Sequence, residues 1–168
     1  MKAKTRSIIR SLIYVLFLSV VFLLQSTVLA RVFNGGTKPL LLPLAVAAIA
    51  LSDGSLKGGA FGVVAGVLCD ISFNQPTMQF TLCLTIIGIG IGLIAEAFLV
   101  KNLITYVICS VISLVFCALW QSTPYLLFRG VSFSVLFSIS VRQLLLSIIF
   151  TLPIYYFFRL INHSVRGL

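Results

Sequence analysis

Three acids, four cysteines and a single histidine are the side chains of this 168-residue chain best equipped for chemistry. Asp70 and Glu96 lie in apolar stretches, and Arg142 sits inside the last of them. A buried isolated charge is very costly, so each must be paired, neutralised or at the membrane–water boundary. The acids are too dispersed along the chain to form a close acid–base set. No HExxH, no GxSxG and no phosphate-cradling glycine loop is present. Cys69, Cys83, Cys109 and Cys117 all fall in apolar runs and form no CxxC pair, so they read as small core residues rather than a metal site or disulfide framework. His163 belongs to the C-terminal tail. The expectation is a non-enzymatic protein with no cofactor and no metal.

The elements that must position these residues are membrane helices. Charged residues make up 9% of the chain and hydrophobic ones 60%, with mean hydropathy +1.19. A soluble domain carries about 25% charged residues, and one this small could not bury so much apolar surface. At about 20 residues per crossing, six helices use about 120 residues and leave no room for a soluble domain. The segments 11–30, 39–52, 58–71, 78–100, 103–120 and 132–158 are the expected spans of a single transmembrane domain over 1–168. The fold class is an all-α integral membrane protein, a compact six-helix transmembrane bundle. The first apolar run is longer than a signal peptide's and lacks a convincing cleavage site, so it reads as a retained helix. The second and third segments are short, and each is expected to cross, with DGSLK (53–57) as a tight turn between them. QSTPYLLFRG (121–130) reads as a connection.

Charge sets the orientation. With both termini cytoplasmic, that side holds Lys2, Lys4, Arg6, Arg10, Lys57, Lys101, Arg159 and Arg166, against Arg31, Lys38 and Arg129 opposite. The net charge of +9 therefore points to membrane lipids and orientation, not to nucleic acid.

Small residues then define faces. Gly58, Gly62 and Gly66 recur every four positions, and Gly88, Gly92 and Glu96 do so in the next segment. Ala45 and Ala48 offer a smaller face. Such faces let backbones approach closely, either within the bundle or against a partner. Gln25, Ser26 and Thr27 form a polar notch suited to interhelical hydrogen bonds. Asp70 is open to a cap or ion pair with Arg31 or Arg129, to a partner or gating role, or to pairing with Arg142. Glu96 calls for an interhelical or headgroup partner. Arg142 either snorkels outward or meets Asp70.

LLQST (23–27), PLLLPLAVAAIALSDG (39–54) and above all GGAFGVVAGVLCD (58–70) resemble the MreD family of bacterial rod shape-determining membrane proteins. The resemblance implies a bundle like the substrate-binding subunits of energy-coupling-factor transporters. It also implies a non-catalytic adaptor in the bacterial cytoplasmic membrane, docking MreC and with it a SEDS glycosyltransferase and a class B penicillin-binding transpeptidase. The alternative is a substrate-capture subunit of an energy-coupling-factor vitamin transporter.

Overall fold

The computed structural model describes residues 2–29, 40–72, 78–98, 102–128 and 133–166. Six α-helices run through them: α1 (Lys2–Leu23), α2 (Leu42–Asp53), α3 (Ser55–Ser72), α4 (Gln79–Phe98), α5 (Leu103–Phe128) and α6 (Phe133–Arg166). A π-helical turn over Leu24–Leu29 continues α1. Five helices carry stretches long and apolar enough to cross a membrane, and the chain is an all-α, multi-pass membrane protein. The exception is α2. Its 12 residues rise about 18 Å, short of a hydrocarbon layer of about 30 Å.

The short helix is the centre of the molecule. Every residue from Leu40 to Leu51 is buried, and α2 touches all five other helices. Its sequence explains this, because alternating Leu, Val, Ile and Ala residues leave it no polar face, and a helix apolar all round belongs inside. The surrounding helices turn one stripe inward each. On α1 the stripe is Tyr14, Phe17, Leu18 and Val21, and Gln25 of the π-helical turn extends it. The opposite faces carry large exposed apolar side chains such as Leu12, Leu16, Ile86, Ile112 and Ile149, which is the surface a lipid tail meets.

A helix that begins inside the protein exposes backbone N–H groups with no intrahelical acceptor. Three of them are bound here. Gln25 Oε1 accepts from the Leu41 and Leu42 N–H groups at 2.8 and 3.1 Å, and Ser147 Oγ of α6 accepts from Leu40 N–H at 3.0 Å. Pro43, in the first turn, has no N–H to satisfy. At the other end Gly54 alone separates α2 from α3. Its N–H reaches back to Ala50 O and its φ of +90° suits glycine. The expected turn over 53–57 is thus a one-residue break, and α3 begins at Ser55 rather than 58.

The stretch expected to connect the fifth and sixth spans is helical as far as Phe128, through Pro124. Just before it, the Ser122 and Thr123 hydroxyls bond back to the carbonyls of Ala118 and Leu119.

Replacing Gln25 with Leu leaves the Leu41 and Leu42 N–H groups without their acceptor. Each unsatisfied group costs about 1–3 kcal/mol, so unfolding in detergent should move to clearly milder conditions. Parent-like unfolding of Gln25→Leu would show that this bracket does not hold α2.

Candidate functional site: a glycine seam closed by two carboxylates

The antiparallel pair α3 and α4 makes the most extensive contact in the bundle. Gly58, Gly62 and Gly66 meet α4 with backbone against backbone. A β-carbon built on Gly62 would stand 2.5 Å from the Leu84 carbonyl oxygen, and one on Gly58 would stand 2.5 Å from that of Gly88. From the other side, Gly88 abuts the Gly58 carbonyl and Gly92 abuts the Ser55 backbone. Any side chain at these positions would force the helices apart. Without a hydrophobic driving force between helices in lipid, this van der Waals contact is what joins the two. Gly58 also abuts Ala50, so the seam reaches α2.

Each end of the seam is closed by an acid from the opposite helix. Asp70, near the end of α3 and 7% exposed, accepts Phe80 N–H at 3.0 Å, Thr81 N–H at 2.9 Å and the Thr81 hydroxyl at 2.6 Å. These are donors of the first turn of α4, whose own cap position is Met78, a residue with no capping oxygen on its side chain. Glu96, near the end of α4, accepts Ser55 N–H at 2.8 Å and lies 3.3 Å from the Ser55 hydroxyl. There the cap position is Gly54, and a β-carbon on it would strike the Glu96 carboxylate. Asp70 follows Ser55 by the same interval as Glu96 follows Thr81, about 22 Å of helix. Equal lengths let one antiparallel pair close at both ends. Anionic side chains also suit the positive ends of the two helix dipoles.

A third acid ties α1 to this frame. Asp53, at the end of α2, pairs with Arg10 of α1 and at 2.8 Å with Lys57 of α3. Arg10 Nε also donates to the Tyr14 hydroxyl at 2.8 Å. Asp53 is 3% exposed at its side chain, so the acid is buried while its two cationic partners are partly exposed.

The structure brings Gly58, Gly62, Gly66, Gly88, Gly92, Asp70 and Glu96 into one seam and places Gln25 at the start of α2. Ser26 stands apart: it is exposed and its hydroxyl reaches only Leu23 O, within its own helix. Arg142 is exposed and does not meet Asp70, whose oxygens are taken by the first turn of α4. Arg31 and Arg129, the other expected partners of Asp70, lie outside the described residues. All four cysteines are buried and free, with the sulfurs of Cys83 and Cys117 3.3 Å apart. No cluster of three or more potential metal ligands occurs among the described residues. The sequence reading missed Arg10–Asp53 and the Ser147 bracket. Asp53 and Lys57, spaced i,i+4 across the helix break, were a local signal for half of the first. Ser147 carries no such signal, because its partner is 107 positions away.

Compared with known proteins, the chain matches no family model, no curated protein and no solved structure.

Two substitutions separate contact from composition. Gly62→Leu should abolish the compact bundle or sharply lower its unfolding temperature in detergent. Gly90→Ala, on the same helix as Gly88 but with nothing within 4 Å of its β-position, should be neutral or stabilising by up to about 1 kcal/mol. Equal effects of the two would refute the seam. Asp70→Asn places an amide among N–H donors and should cost about 2–3 kcal/mol, more than Glu96→Gln at its exposed end, in the same unfolding measurement.

Proposed function

We propose that this chain is a non-catalytic membrane adaptor of the MreD type. In this reading it belongs to the bacterial cell-shape and lateral peptidoglycan machinery, with both termini cytoplasmic. It docks MreC and, through that complex, a SEDS glycosyltransferase and a class B penicillin-binding transpeptidase. The observation that carries the reading is the use made of the acids. Asp53, Asp70 and Glu96 each tie one helix to another, and the glycine faces are filled by the bundle itself. Charge is thus committed to holding a shape. The block GGAFGVVAGVLCD (58–70), which most resembles the MreD family, is the α3 side of that seam and ends in its cap. With the glycine faces turned inward, partner docking in this reading uses the apolar outer faces.

A second reading, the capture subunit of an energy-coupling-factor vitamin transporter, draws on buried polar groups of α5 and α6. Ser147 and Thr151 are buried on α6, and Gln121 Nε2 on α5 is buried without a hydrogen-bond partner among the described residues. A small polar molecule held there would give that amide an acceptor.

Capture of the tagged protein from native membranes in mild detergent, with mass spectrometry of what stays bound, separates the two. The adaptor reading expects MreC with a cell-wall polymerase pair. Recovery of a coupling subunit and ATPases without those partners would replace it with the transporter reading.

A further inference from the structure

Three cations stand at one end of the bundle. Tyr14 of α1 is fully buried and packs edge-on against Phe61 of α3, while its other side stacks on Phe158 of α6, with ring centroids 5.6 and 5.5 Å away. Arg10 precedes Tyr14 by one helical turn, and Lys57 precedes Phe61 by one turn, each on the same face as its ring. Arg159 directly follows Phe158 and is exposed. The apolar stretches Ile8–Thr27, Ser55–Ser72 and Ser140–Leu160 all reach their limit at this end. The three cations therefore stand at the depth where hydrocarbon gives way to headgroups.

The counter-ion of Arg10 and Lys57 lies beneath them. Asp53 is 3% exposed, whereas the side chains of Arg10 and Lys57 that pair with it are 24% and 31% exposed. The outer rim of the cluster is therefore cationic and its inner side anionic. Two acids, Asp53 and Glu96, face three cations at this end, and the Glu96 carboxylate is taken up by the Ser55 N–H and hydroxyl. Asp53 and the Tyr14 hydroxyl also hold Arg10 in place before any ligand arrives, which lowers the ordering cost of binding.

We propose that this rim binds the phosphate of an anionic phospholipid headgroup, with an acyl chain lying along exposed apolar side chains of α3. Val64 and Ile71 follow Lys57 by seven and fourteen residues and so continue from it along one side of that helix. A zwitterionic headgroup carries its own ammonium, which the rim repels, so the site discriminates by net charge.

The test is native mass spectrometry of the full chain in mild non-ionic detergent, titrated with phosphatidylglycerol, with phosphatidylcholine as reference and inorganic phosphate as competitor. Phosphatidylglycerol should be retained in preference to phosphatidylcholine. Lys57→Gln and Arg159→Gln should each weaken that retention about fivefold, the effect of removing one cation near an anionic lipid. Arg142→Gln, at the opposite end of α6, should leave it unchanged. Lys57→Gln keeps the Arg10–Asp53 pair and Arg159 is exposed, so both variants should unfold with the parent; should Lys57→Gln unfold early, Arg159→Gln still decides. Equal retention of the two lipids, or a loss in Arg142→Gln matching that in Arg159→Gln, would overturn the proposal. Inorganic phosphate displacing the lipid at equal concentration would overturn it in favour of a free-anion site.

Discussion

The contact of α3 with α4 depends on the absence of side chains where the two backbones meet. Lipid tails are as apolar as leucine, so burying leucine against leucine gains little inside a bilayer, and close backbone approach supplies the attraction instead. That approach sets the spacing of the pair, and the spacing brings Asp70 within reach of the Phe80 and Thr81 amides and Glu96 within reach of Ser55. Widening the seam by one side chain would pull both carboxylates off their donors. The glycines and the acids are therefore one device.

The second organising constraint is the half-length helix. Inside hydrocarbon, an unsatisfied amide has no water to turn to, so a chain that starts a helix within the protein must supply acceptors from elsewhere. Gln25 and Ser147 come from α1's π-helical extension and from α6, so they pin the first and last helices to the beginning of α2. Asp53 pins α1 and α3 to its end. A short apolar rod held at both ends by polar side chains explains how α1 and α6, with no glycine and largely lipid-facing surfaces, are kept in register with the seam. It also joins the candidate site to the cationic end, since Asp53 serves both.

Much of this was legible along the chain. Composition required a membrane protein, and the apolar segments placed six helices. Period-four glycines announced a face, and Gln25, Asp70 and Glu96 stood out because polar groups in apolar runs need partners. What failed to show was the identity of the partners. Asp70 offered itself to any of several arginines, yet its donors are main-chain amides, which every residue carries and no residue type advertises. Helix ends were misplaced for a similar reason. Gly54 breaks the chain with one residue where a longer turn was expected, and Pro124 stays within α5 with hydroxyl bonds flanking it.

By itself, the sequence determined the medium, the helical class and which residues had to be satisfied, because these follow from transfer free energies and from a period of 3.6. Only the tertiary structure decided that α2 is enclosed by the other helices and that Asp70 and Glu96 close opposite ends of one seam. It alone placed Arg142 on the outside, away from Asp70. Those outcomes depend on equal helix lengths and on contacts between residues up to 107 positions apart, and no local pattern encodes a distance of that kind.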